Sequence, residues 1–114
     1  MKYKFITDFF QMRLVIWYNI IIDLNGKTIL VTGAAGFIGS NLVKRLLNDF
    51  EPIKVIGIDS ITDYYDVNLK QERLKEIEEL SKDWTFIKGN IADKVLIEQV
   101  FTENKIDVVG NPAP

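Results

Sequence analysis

The glycines in residues 31–40, VTGAAGFIGS, constrain the fold of this chain more than any other feature. Gly33, Gly36 and Gly39 recur at every third position, directly after the β-branched and apolar run TILV. A short continuous apolar run predicts a buried parallel strand, and the apolar spacing that follows the glycines predicts an amphipathic helix. The chain therefore removes side chains at a fixed interval where a strand leads into a helix.

Two interpretations of this turn remain open. The first-turn N–H groups of a helix lack intrahelical acceptors and lie at the positive end of the helix dipole, so they attract a pyrophosphate if no Cβ blocks its approach. Gly33 then permits the tight turn, Gly36 the close approach and Gly39 the seating of helix on strand. The alternative is a purely structural turn, because loops and helix packing also select glycine. We favour dinucleotide binding.

Short apolar strands alternate with amphipathic helices along the rest of the chain, and Asp93 is a candidate N-cap. This β-α-β-α-β-α-β order requires a parallel sheet with helices on its faces. We expect the N-terminal half of a Rossmann-type, doubly wound α/β sheet, with an exposed apolar edge at its fourth strand. The predicted strands are 27–32, 54–59, 84–89 and 106–109, and the predicted helices are 37–50, 69–82 and 92–104.

Asp59 ends the second predicted strand, about 20 residues beyond Gly39, where the dinucleotide-binding fingerprint places an acid. A carboxylate there accepts hydrogen bonds from the ribose 2′-OH and repels a 2′-phosphate, so the pattern favours NAD over NADP. The alternative is a solvated carboxylate at a strand end.

Three segments carry a resemblance to a known family. VTGAAGFIGSNLVKRLL resembles the opening motif of the extended short-chain dehydrogenase/reductase family, within its nucleotide-sugar epimerases and dehydratases. IDSITDYYDVNLKQERL is similar to the UDP-glucuronate 4-epimerase branch, and FIKGNIAD resembles the family's third-strand motif. The resemblance covers about residues 27–109.

The resemblance implies an NAD site at the glycine motif. The backbone N–H groups of Phe37 and Ile38 would meet the pyrophosphate. Asp59 would bind the adenosine ribose, with Ser60 beside it where the family more often has Asn. Lys70 is expected near the ribose or phosphate, although a solvated lysine at a helix start fits its charge pattern equally well.

The adenine would lie against Asn90 and Ile91, and Asn90 replaces the family's usual Asp. Tyr64 and Tyr65 either pack within their loop, which we favour, or contact the cofactor. The complete set of predicted cofactor-binding residues is Gly33, Ala35, Gly36, Phe37, Ile38, Gly39, Asp59, Ser60, Lys70, Asn90 and Ile91.

Catalysis in this family uses a Tyr-x-x-x-Lys pair, and none of the 4 tyrosines has Lys four residues later. The chain also has no His and no Cys, which removes imidazole bases, thiolate nucleophiles and the usual zinc ligands. We therefore predict no catalytic residue, no metal site and no activity of the chain on its own.

Residues 1–25 form an apolar extension ahead of the predicted partial NAD-binding domain, 26–114. Asp8, Gln11 and Arg13 interrupt it, and its unbroken apolar run is shorter than the roughly 20 residues that span a bilayer. A helical apolar stripe is indicated by the spacing of Phe5, Phe9, Phe10, Arg13 and Trp17, whereas LVIWYNIII has a strand-like composition. We expect packing on the domain or on another subunit, hence a homo-oligomer, in preference to membrane-surface contact.

Composition narrows the partners further. The net charge is −2 without clustered Lys or Arg, which argues against nucleic acid. The absence of targeting signals indicates a cytoplasmic protein. We predict the NAD-binding portion of a nucleotide-sugar epimerase, whose sugar substrate would bind only to a longer protein. The alternatives are a non-catalytic oligomerising or regulatory Rossmann module and a fragment of a dehydratase or reductase.

Overall fold

The computed structural model describes residues 4–6, 24–61 and 67–111, with side chains from residue 24 onward. From residue 24 the predicted strands and helices are confirmed, and their ends differ by three residues at most. The elements of the described chain are β1 (Lys4–Ile6), β2 (Thr28–Thr32), α1 (Phe37–Asp49), β3 (Lys54–Asp59), α2 (Val67–Glu79), β4 (Trp84–Lys88), α3 (Lys94–Glu103) and β5 (Val108–Gly110).

The strands form one parallel sheet in the order β1-β5-β2-β3-β4. β2 lies at the centre, where Val31 pairs with Gly57 of β3 on one side and with Gly110 of β5 on the other. The chain moves outward from β2 to β4 and then returns to the far side of β2 for β5. This reversal is the arrangement of doubly wound sheets, which bind ligands beyond the carboxyl ends of their strands.

The edge strand β1 was not predicted. Lys4–Ile6 lies within the predicted extension and pairs in parallel with Val108–Gly110. The fourth predicted strand, 106–109, corresponds to β5, and β1 covers its edge. The prediction of an exposed edge there is therefore wrong in the described chain, as is the prediction of a helix at residues 4–6. A three-residue strand is too short to show a period, and its partner lies at the other end of the sequence. The remaining residues of the expected helical stripe fall outside the described ranges.

The helices cover the two faces of the sheet unequally. On β2, Ile29 and Val31 face α1 and α2, and Leu30 faces α3. Four residues of α1 are fully buried, and burying such side chains contributes roughly 1.5–3 kcal/mol each. They are Leu42, Val43, Leu46 and Leu47.

Helix α2 is held more loosely. Its residue Ile77 is buried, but Leu69 is 47% exposed. An ion pair between Lys44 and Glu76 joins α1 to α2. On the other face, α3 begins at its predicted cap, because the Asp93 carboxylate accepts the Leu96 N–H. No helix in the described ranges is both long and apolar enough to cross a bilayer.

Candidate functional site

The turn between β2 and α1 is built on a left-handed residue. Gly33 has φ +63°, a conformation that residues with a side chain rarely adopt. The Gly36 N–H then donates to the Gly33 carbonyl at 3.0 Å, which closes the turn before α1 begins. A Cβ placed on Gly33 would meet no atom of the described residues within 4 Å, so the space in front of the turn is open.

Gly39 brings the first turn of α1 directly against the end of β2. A Cβ on Gly39 would lie 2.1 Å from the Gly33 carbonyl oxygen and 2.9 Å from its carbon, which no real side chain could do. The helix is thus seated on the strand by backbone contact, as the sequence predicted for Gly39. A Cβ on Gly36 would also be tight, at 3.3 Å from the same oxygen.

The N-terminus of α1 remains available to an anion. Its N-cap is Gly36, no side chain among the described residues caps the first turn, and that turn contains no acidic residue. The first-turn amides, among them those of Phe37 and Ile38, therefore point from the positive end of the helix without a competing carboxylate. This is the geometry that a phosphate group requires of a helix N-terminus.

Asp59 connects three loops at the carboxyl edge of the sheet. Its residue is 7% exposed, and its Oδ2 accepts the Ala35 N–H at 3.1 Å. Its Oδ1 accepts the N–H of Ile61 at 2.9 Å, and its main-chain oxygen accepts that of Gly89 at 3.1 Å. The carboxylate is therefore positioned rigidly beside the glycine turn rather than solvated at a free strand end.

Lys70 also lies on this carboxylate. Its Nζ is 3.2 Å from Asp59 Oδ1, and the two side chains are only 14% and 5% exposed. The alternative of a solvated lysine at the helix start does not hold in this structure. The ammonium therefore balances the negative charge of this buried carboxylate.

The remaining predicted residues occupy the same edge of the sheet. Ser60 follows it directly and is half-buried. Asn90 and Ile91 follow β4, where Asn90 Oδ1 accepts the Ala92 N–H at 2.8 Å and Ile91 is 53% exposed. Tyr64 and Tyr65 lie outside the described residues.

Sequence reasoning missed two residues at this edge. Arg73 Nη1 donates to the Ala35 carbonyl at 3.3 Å, and its Cζ lies 5.9 Å from the centroid of the Phe37 ring. Asn111 Oδ1 accepts a hydrogen bond from the Thr32 hydroxyl at 2.5 Å, and this bond holds the end of β5 beside the glycine turn. The available signal for Arg73 was its position three residues after Lys70, on the same face of α2.

A parallel sheet of this order, with a glycine turn after its central strand and an acid ending the next, defines a Rossmann-type dinucleotide fold. Residues 29–113 match the NAD dependent epimerase/dehydratase family. The chain belongs to this family.

Individual relatives come from several of its enzymes. Protein CapI of Staphylococcus aureus is 45% identical over 85 residues, which are 75% of this chain and 24% of CapI. A dTDP-glucose 4,6-dehydratase of Bacillus anthracis, solved with NAD, superposes with a TM-score of 0.67 at 40% identity, covering 77% of this chain and 27% of that one.

A UDP-glucuronic acid 4-epimerase of Bacillus cereus, solved with UDP-glucuronic acid and NAD, gives a TM-score of 0.61 at 37% identity, covering 74% of this chain and 25% of that one. The chain thus spans about a quarter of the length of these relatives.

Proposed function

We propose that this chain is the NAD-binding portion of a nucleotide-sugar epimerase of the UDP-glucuronate 4-epimerase type, and that it has no catalytic activity alone. The observation that carries the proposal is the contact of Asp59 with Ala35. It places a buried carboxylate at the side of an open glycine turn and an uncapped helix N-terminus. A dinucleotide needs both features next to each other, one for its ribose and one for its pyrophosphate.

The described residues fit the adenosine half of NAD. Phe37 and Ile38 would donate their N–H groups to the pyrophosphate, and Asp59 would accept from the ribose hydroxyls. Asn90 keeps a lone pair on Oδ1, besides the one used by Ala92, for the adenine amino group. When bound, NAD would supply hydride acceptance and return at the sugar carbon that is epimerised.

The expected inactivity rests on the catalytic residues that the family requires. No tyrosine of the sequence is followed by Lys at the fourth position, so the chain offers no acid–base pair of the family type. The identification of the epimerase type is supported by DYYDVNLK and by the superposition on the Bacillus cereus enzyme. The contacts proposed at the glycine turn do not depend on that choice, because they concern the cofactor alone.

A second candidate, a fragment of a dTDP-glucose 4,6-dehydratase, is favoured by the superposition with the higher TM-score, 0.67 against 0.61. Both candidates use this half of the fold for the cofactor. They would differ in the sugar-binding residues of a longer protein.

Isothermal titration calorimetry of the folded chain with NAD, ADP-ribose and NADP tests the cofactor assignment. We expect NAD and ADP-ribose to bind similarly, because the described residues would contact only the adenosine and pyrophosphate groups that both ligands share. Asp59→Asn should weaken NAD by about tenfold or more, since it removes a charged acceptor. Asp107→Asn is the matched control, because Asp107 accepts the Thr28 N–H at the opposite end of the sheet.

Binding of NAD that is equally weakened by both substitutions, or no binding to folded wild type, would contradict the assignment. Chromatography of UDP-glucuronic acid incubated with the chain and NAD tests the second part. Accumulation of the 4-epimer above a protein-free control would show that the chain is active.

A further inference from the structure

The peptide between Ala35 and Gly36 is held at both of its polar atoms. Its N–H, from Gly36, donates to the Gly33 carbonyl at 3.0 Å. Its carbonyl, from Ala35, accepts from Arg73 Nη1 at 3.3 Å. This peptide is the last one before the Phe37 N–H, so its orientation determines where the first amide of α1 points.

Arg73 reaches this peptide from a different element. It lies on α2, half-buried, with its guanidinium carbon 5.9 Å from the centroid of the Phe37 ring. The Phe37 ring is 69% exposed, so the arginine provides packing that the core does not. A planar guanidinium can donate to a carbonyl and stack on a ring at once, which an ammonium cannot do equally well.

Residue 36 is the place where such a restraint matters. Gly36 is the N-cap of α1, has no side chain, and is not stabilised by a side-chain cap. Glycine loses more conformational freedom on ordering than any other residue, so an unrestrained turn would populate several conformations. The turn is therefore held from outside, by contacts that reach it from β3 and α2.

We propose that Arg73 is a positioning residue for the dinucleotide, which fixes the glycine turn in its pyrophosphate-binding conformation before the cofactor arrives. The inference rests on the proposed function, since it names what orders that site. Its physical content is preorganisation: a ligand that binds an already ordered turn does not bear the entropy of ordering it. The neighbouring ion pair of Lys70 with Asp59 orders the ribose side in the same way, from the same face of α2.

Arg73→Met tests this inference, because methionine keeps an unbranched apolar stem over Phe37 but cannot donate to the Ala35 carbonyl. We expect the Kd for NAD and for ADP to rise by about tenfold, and melting temperature to change little. Arg45→Met is the matched control, since Arg45 is exposed and pairs with Asp49 within α1. It should leave the Kd for NAD within about twofold of wild type.

Amide hydrogen exchange, measured by NMR on the cofactor-free chain, distinguishes local ordering of the glycine turn from a general effect of Arg73 on stability. Exchange at Gly36 should accelerate in Arg73→Met, while the core strands β2 and β3 keep their wild-type protection. Arg73→Lys should restore the melting temperature if it is lowered, but not the affinity for NAD, because lysine lacks the planar fork.

The outcomes separate the two proposals. NAD binding by wild type that Arg73→Met leaves unchanged overturns the role of Arg73 and leaves the proposed function intact. Faster exchange throughout the core, together with the affinity loss, also overturns it, because Arg73 would then act on global stability. Failure of folded wild type to bind NAD removes the proposed function itself.

Discussion

Asp59 Oδ2 lies 3.1 Å from the backbone nitrogen of Ala35, across 24 residues of sequence. The carboxylate that we propose for the ribose is thus also a structural acceptor for the glycine turn. The same side chain receives Ile61 N–H and pairs with Lys70. Because one side chain joins the glycine turn, the loop after β3 and helix α2, we expect a change at Asp59 to alter the fold and the proposed cofactor site together.

Asp59→Asn is therefore expected to lower the free energy of unfolding by about 2 kcal/mol. The amide has one acceptor oxygen, so it cannot serve the donors that approach both carboxylate oxygens, and it leaves the ammonium of Lys70 without its partner. Urea denaturation followed by circular dichroism measures the change. A variant as stable as wild type would show that the contacts around the carboxylate contribute little.

Lys70 is expected to control the discrimination between NAD and NADP. Removing its charge in Lys70→Met leaves Asp59 uncompensated, so the carboxylate should repel a 2′-phosphate more strongly. We expect the ratio of the NADP Kd to the NAD Kd to rise by about fivefold. Lys70→Arg keeps the charge and should keep the ratio. Calorimetric titrations with both cofactors decide this, and a ratio that falls in Lys70→Met would refute it.

Gly57 is expected to tolerate no side chain. A Cβ there would lie 2.2 Å from the ring of Trp84 and 2.6 Å from the Ala34 methyl group. Ala34 is fully buried and its methyl group has no rotamer that could move it away. Gly57→Ala should cost about 3 kcal/mol of unfolding free energy. Gly89→Ala is the matched control, because its Cβ meets the flexible end of Leu96 at 2.2 Å. It should cost about 1 kcal/mol or less, and equal losses in urea denaturation would contradict the packing argument.

The ion pair between α1 and α2 should make the free energy of unfolding depend on pH in the acidic range. The hydrogen bond and charge of Lys44, with a smaller contribution from the charge of Arg73, lower the pKa of Glu76 from its ordinary value of 4.5. A carboxyl whose pKa is lower in the folded state stabilises the fold above its unfolded pKa and loses that contribution as the pH falls through the folded value.

Wild type should therefore lose more stability than Glu76→Gln as the pH is lowered from neutrality to below 4.5. Denaturant titrations at several pH values measure this difference. In a Lys44→Gln background, Glu76→Gln should change the pH dependence of stability less, since Glu76 has already lost its partner Lys44. An unchanged dependence there would assign the effect to another group.

The sequence predicted the central part of the fold because each element there has a local signature. The apolar run of β2 and the helical spacing of α1 specify their own structure, and the glycines between them specify the turn. β1 had no such signature. Three residues carry no period, and they are a strand only because β5 lies beside them.

The backbone features of the candidate site could be predicted from the sequence, but the side chains that reach it from other elements could not. Gly33, Gly39 and Asp59 follow from spacing, because backbone geometry at a strand end determines them. Arg73 does not, since its spacing from Lys70 indicates a shared helix face but not which loop the side chain reaches. The stacking of Trp84 over Gly57 likewise depends on the pairing of β3 with β4, which a single sequence does not show.

The position of β1 separates the order of synthesis from the order of assembly. Lys4–Ile6 leave the ribosome before every other described strand, yet their partner, Val108–Gly110, leaves it last. Pairing between such distant segments is slow, because the intervening chain must first be brought together. Of the described strands, the one synthesised first can therefore pair only after the one synthesised last has become available, so we expect a fusion partner attached before β1 to affect this late pairing.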